Sequence, residues 1–298
     1  MYGNVGKGND MAEYCEPCSS CSISGKKAIV EKLTQDLDEL MSKGAYNEAY
    51  PVALRMLDEG TVLYGTRSVD FASVLNDVAS VERYLGYYDK AEQRFDQVAE
   101  ILLDQLGRMD PEYATALNNL AGLHRLTHDY ERAEKEFNRS LEIYEKTLGE
   151  TDWHTISCYN NLGLLYQDQG KYEDAIACHV KALELLQSDE TPDDPASIAT
   201  TLMNGAICSS KMGDVEEATE LFDYAKGLIE QVNGKDSAAY ATALNNIAAF
   251  KGEQGDWTAA VELLEESKGI TGRLYGSQSD AYTLVCDNLD RAKEQAGA

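Results

Sequence analysis

The chain is poor in basic residues: 26 Lys and Arg stand against 52 Asp and Glu among 298 positions, a formal net charge of −26. A field of that sign repels phosphate and excludes nucleic acid or an anionic lipid surface as the main partner. Proline is scarce at 5 and the 23 Gly are ordinary, so the chain is neither collagen-like nor low in complexity. It lacks any apolar run near the ~20 residues that span a bilayer. Its first ten residues lack the apolar stretch of a secretory signal, so a cytoplasmic location without a membrane partner is expected. The 7 Cys are odd in number and unevenly spaced, which favours reduced thiols over a disulfide framework. No strand follows the glycines from Gly3 to Gly8, and no nucleophile and base stand at motif spacing, so neither a phosphate cradle nor an enzyme is expected.

What is present is a period of 42 residues. Gly65, Gly107 and Gly149 each follow an apolar run, and after a one-residue insertion the series resumes at Gly234 and Gly276. A second ladder runs Gly44, Gly86, His128 in a glycine's place, Gly170, Gly213 and Gly255. Two positions on come Tyr46, Tyr88, Tyr130, Tyr172, Val215 and Trp257, and three further on Ala49, Ala91, Ala133, Ala175, Ala218 and Ala260. Between these marks apolar residues recur at helical spacing, as in Leu117, Leu120, Ala121 and Leu123. Each copy therefore reads as two amphipathic helices, with glycine where the chain reverses and alanine where the pair must approach closely.

The pattern predicts an all-α, right-handed solenoid of six helix pairs, with units at about 27–65, 66–107, 108–149, 150–192, 193–234 and 235–276 and a capping helix at 279–295. The insertion falls in the polar loop Ser188 to Pro195. Residues 1–25 read as a flexible tail and 26–298 as the solenoid.

The motifs Leu-Asn-Asn-Leu-Ala at 117–121, Tyr-Asn-Asn-Leu-Gly at 159–163, Leu-Asn-Asn-Ile-Ala at 244–248 and Gly-Lys-Tyr-Glu-Asp-Ala at 170–175 resemble tetratricopeptide repeats. The common form has 34 residues per unit. The longer copies here, with the Leu148 to His154 linker, resemble the 42-residue subclass of kinesin light chains and many bacterial proteins. The resemblance implies a scaffold or adaptor that holds a protein or peptide in a concave groove lined by first helices. It also implies that the second Asn of each pair, Asn119, Asn161, Asn204, Asn246 and Asn288, grips ligand backbone, Asp77 being the departure.

The residues themselves place Asn76, Asn118, Asn160 and Asn245 beside that series on the same stripe. A side-chain amide carries two donors and an acceptor, enough to pair with both the N–H and the C=O of an extended peptide. The same regularity would also follow if these amides tied one unit to the next. Arg83 and Arg125, one unit apart, either select an acidic ligand or form surface ion pairs. Where carboxylate-clamping relatives carry Lys or Arg, this chain has Ser73, Thr115, Ser157, Thr200 and Thr242, which disfavours that clamp.

Cys15, Cys18 and Cys21 form a CxxCxxC run suited to Zn or Fe but one ligand short of a closed site. A metal-handling or redox accessory role through this tail is the alternative reading, and a peptide-responsive regulator a second. Cys158, Cys178, Cys208 and Cys286 read as core, and His124 and His128 as structural.

Overall fold

A computed structural model of the protein describes residues 23–188 and 194–297. The Cys15, Cys18 and Cys21 run and most of the Ser188 to Pro195 insertion lie outside the described residues. Every regular element among the described residues is an α-helix: α1 Ile23–Ser42, α2 Tyr46–Tyr64, α3 Val69–Tyr84, α4 Tyr88–Leu106, α5 Pro111–Leu126, α6 Tyr130–Thr147 and α7 Trp153–Asp168. The order continues with α8 Tyr172–Leu186, α9 Pro195–Met212, α10 Val215–Asn233, α11 Ala238–Glu253, α12 Trp257–Tyr275 and α13 Asp280–Ala296. Helix pairs stacked in series make an all-α solenoid. The first helix starts ahead of the expected boundary, because its opening turn is exposed (Ile23 is 79% accessible) and carries no buried periodicity to announce it.

Local chemistry sets the helix ends. Side-chain oxygens of Ser68, Asp110, Asp129, Asp152, Asp194, Asp214, Ser237, Asp256 and Ser279 accept from backbone N–H groups in the first turns, with Pro111 and Pro195 at the opening positions. The turns inside each pair pass through the left-handed region, and His128 takes it too, at φ 63°, in the place that glycine holds in the other copies. Its ring nitrogen Nδ1 lies 2.8 Å from the Tyr130 hydroxyl.

The chain forms two compact units that divide between Lys90 and Ala91. In the first, Val30, Leu33 and Leu37 of α1 pack with Ala49, Ala53 and Met56 of α2 and Val74, Val78 and Val81 of α3. In the second, Ala91, Ala133, Ala175 and Ala218 have no accessible surface and Ala260 has 1%, the close approach the alanine ladder demands. One turn on, the same register holds Phe95, Phe137, His179, Phe222 and Leu264, all buried. Ser140 and Ser267, at equivalent places, donate across their pairs to the carbonyls of Ala114 (2.8 Å) and Ala241 (2.9 Å).

His179 is the exception in the phenylalanine series, and its surroundings have changed with it. Its Nδ1 is 3.0 Å from Asn160 Oδ1, the Asn160 amide donates to Thr201 Oγ1 at 2.9 Å, and Nε2 is buried without a partner. The helix opposite carries Gly163, where the other copies of the second unit have Ala121, Ala206 and Ala248. A Cβ at Gly163 would lie 2.4 Å from the imidazole Cε1. Burial pushes this imidazole down from 6.5 to about 4, so it is neutral in the fold. His124 is the opposite case: burial resists its charge, but the carboxylates of Glu136 (2.7 Å) and Glu92 (3.3 Å) outweigh that and raise its pKa.

Cys158 and Cys208 are buried, as the sequence suggests, whereas Cys178 and Cys286 are only half-buried on their helix flanks. Burial lifts the Cys158 thiol to about 12 and those of Cys178 and Cys208 to about 11, which keeps all three protonated and unreactive.

Two outcomes follow from the His179 site. Gly163→Ala is expected to cost about 1–3 kcal/mol through overpacking. Adding His179→Phe, which recreates the Ala121 and Phe137 pairing of the preceding copy, is expected to recover at least half of that in urea unfolding. Additive losses in the double variant would reject the steric account. For pH, a histidine held below its unfolded pKa costs nothing above 6.5 and destabilises progressively as pH falls toward about 4. His179→Phe is therefore expected to flatten the stability profile between those limits, by up to about 3 kcal/mol at the acid end. An unchanged slope in denaturation series from pH 7 to pH 4 would rule this out.

Candidate functional site

In the second unit the first helices α5, α7, α9 and α11 lie side by side, and α13 joins them through a hydrogen bond from Asn288 to Asn245 of 3.1 Å. Their shared stripe carries the asparagines. Asn118, Asn119, Asn160, Asn161, Asn204, Asn245, Asn246 and Asn288 are all half-buried there. Asn76 and Asp77 hold the matching places on α3 of the first unit.

The stripe is laced sideways by bonds between residues one repeat apart. The amide of Asn161 donates to Asn118 Oδ1 at 3.1 Å, as Asn288 does to Asn245: the second Asn of one copy meets the first Asn of the copy before it. Toward the last turn of these helices Arg125 pairs with Asp168 at 2.5 Å, Cys208 Sγ lies 3.6 Å from Gln167 Oε1, and Lys211 pairs with Glu253, which also accepts from Ser210 at 3.3 Å. Arg125 is thus neutralised by the neighbouring copy. Arg83 belongs to the first unit, where its guanidinium sits 5.2 Å from the Tyr84 ring centre.

Two amides fall outside the lacing, for a reason written in the sequence. The acceptor for Asn246 would be the first Asn of α9, but that place is Met203. The acceptor for Asn204 would be Asn160, whose Oδ1 already faces His179. Among the described residues, Asn204 and Asn246 make no side-chain hydrogen bond. Asn246 borders a cavity of about 150 Å³ together with Ile207, Lys211, Phe222, Phe250 and Glu253.

Asp77 is chemically distinct from the asparagines it replaces. Burial, and then the charge of Asp38, push its carboxyl up from 3.8 to about 6, against a lowering contribution from an Asn76 hydrogen bond. Among the described residues no group of three or more His, Cys, Asp or Glu side chains is placed to hold a metal ion, and no helix is long and apolar enough to cross a membrane.

Sequence periodicity found the asparagines and both arginines. It missed Asp168 and Glu253 as partners and the coupling of His179 to Gly163. The signal for the ion pairs was present: opposite charges separated by about one period, on one stripe.

A search of curated protein sequences finds no match. Among solved structures, the chain is similar to BtubC (BKLC) from P. vanneervenii, at 25% identity over 72% of this chain and 90% of that one, with a TM-score of 0.59. It is similar to a putative kinesin light chain of nearly identical TPR-like repeats from Podospora anserina (18% identity, 69% and 97% covered, TM-score 0.55). The apo quorum sensor NprR from B. thuringiensis is another neighbour (14% identity, 92% and 71% covered, TM-score 0.64). The last two likenesses establish the fold alone. The tetratricopeptide repeat pattern itself matches residues 70–146, 112–188 and 197–281. Paired helices in a fixed register, glycine at each reversal and alanine at each crossing agree with that match, and the chain belongs to the tetratricopeptide repeat family.

Proposed function

We propose that this protein is a non-enzymatic scaffold that binds an extended peptide segment along the first-helix stripe of its second unit, centred on α9 and α11. One observation carries the reading: half-buried Asn204 and Asn246 lack the sideways partner that their equivalents have, and Asn246 borders an open cavity. Such an amide keeps its donors and acceptor open to the stripe, where a peptide backbone can pair with both in place of water. Asn118, Asn161, Asn245 and Asn288 serve two ends at once. Each sideways bond uses one N–H or one carbonyl lone pair and fixes the amide plane, while the rest of the amide still faces the stripe. The repeat family is widely used for protein and peptide capture, and the acidic surface of this chain would draw a partner of basic or neutral character.

The two groups of asparagine separate in experiment. A ligand is selected from random-peptide display on the immobilised protein and its affinity remeasured on variants. The double substitution Asn204→Ala and Asn246→Ala is expected to weaken it at least tenfold, about 1.4 kcal/mol, without altering the unfolding curve. Asn118→Ala and Asn288→Ala are expected instead to lower stability by about 1 kcal/mol each. Equal affinity in the Asn204 and Asn246 variant would overturn the reading.

Asp77 supplies a separate test in the first unit. A carboxyl whose folded pKa of about 6 exceeds its unfolded 3.8 favours the fold at low pH and loses that contribution as pH rises through 6. Asp77→Asn, which restores the residue of the other copies, is expected to stabilise by about 1–2 kcal/mol at pH 7 and by nothing at pH 3.5. A gain of the same size at both pH values would show that charge is not the cause.

A further inference from the structure

The junction of α12 with α13 lacks two rings that the junction of α10 with α11 possesses. Phe222 on α10 and Phe250 on α11 pack with ring centres 5.0 Å apart. One repeat later the same register holds Leu264 and Ala292, both buried, at 4% and 3% accessibility. Their smaller side chains do not fill the space. A cavity of about 420 Å³ opens there, walled by Ala248, Ala260, Leu264 and Ala292 and by the indole of Trp257. Its rim carries the bonded amides of Asn245 and Asn288, with Arg291 beside them. Glu253, also on the rim, is neutralised by Lys211, while Arg291 is exposed and makes no ion pair among the described residues.

We propose that this slot is a binding site for a small aromatic carboxylic acid of the arylpropionate class. Leu264 and Ala292, which stand where the preceding copy has its rings, both line it, its volume admits a phenyl-sized group, and Trp257 adds an aromatic side chain to the lining. Its size lies within the range of small-molecule pockets. Arg291, at the mouth, is the one cation among the residues lining the slot, and its guanidinium offers a carboxylate a local partner that outweighs, at contact distance, the repulsion of a chain of net charge −26. The Asn245 and Asn288 amides stand within the same mouth to receive the second carboxylate oxygen. The slot shares Asn245 and Asn288 with the stripe but not Asn204 or Asn246, so binding of a small acid there does not depend on the peptide-binding reading.

The test uses the full chain with 3-phenylpropionate as probe, followed by ligand-observed NMR and calorimetry. Binding with a dissociation constant below about 1 mM is expected, with toluene and butyrate each at least tenfold weaker. Ala292→Phe restores a ring of the preceding pair and is expected to melt no lower than the parent while losing the probe at least tenfold. Should it fold poorly, Leu264→Phe is the second filling variant with the same expectation. Arg291→Gln is expected to weaken the probe several-fold and leave toluene unchanged. No binding, equal binding to a folded ring-filled variant, or toluene binding as tightly as the acid would each overturn the proposal. So would an affinity confined to an internal phenylalanine in a capped peptide, which would make the slot part of a peptide site.

Discussion

Everything in this molecule depends on how closely two helices can approach at one alanine. Ala133, Ala175 and Ala218 are fully buried at the crossings of their pairs, and any larger side chain would push the helices apart. That distance fixes where the aromatic one turn later lands, hence the core of each copy. Because each copy repeats it, the first helices meet at a constant offset. Asparagine can then face asparagine, one period away, at hydrogen-bonding distance. A small residue thus sets the geometry of polar groups that it never touches.

The sideways lacing gives the stripe a mixed character. Bonds between successive copies stiffen it, and the same amides face outward to whatever lies along it. Structural and recognition roles, which look like rivals when only the regularity is known, are divided among residues by what stands one repeat earlier. Met203 in place of an asparagine releases Asn246 from a structural duty, and the Asn160 contact with His179 does the same for Asn204.

How much of this was legible follows from the length scale of each feature. The glycine and alanine ladders are single-residue demands of backbone and packing, so the period showed them, including the left-handed turn at His128. The asparagine stripe was equally visible, since helical spacing alone puts those residues on one face. What periodicity could not show is distance across the stack. That Arg125 ends on Asp168, or that Gly163 is small because His179 lies over it, depends on the spacing between helices. The half-buried state of Cys178 and Cys286 depends on it as well. Deviations from the repeat proved to be the readable clue: His179, Gly163, Met203 and Ala292 each break the pattern, and each marks a place where packing or bonding has been rearranged.

The His179 arrangement also bears on how such a chain can change its number of copies. Units built on one register are interchangeable in principle, since each offers the same faces to its neighbours. This joint is not interchangeable. His179, Gly163 and Asn160 belong to one copy and travel together, whereas Thr201 belongs to the next and other copies hold Ala116, Cys158 or Ala243 in its place, so an excision or insertion at this seam would strip Asn160 of its acceptor. The four residues therefore give the fourth and fifth copies fixed addresses in the order, and gain or loss of units is easier at other seams.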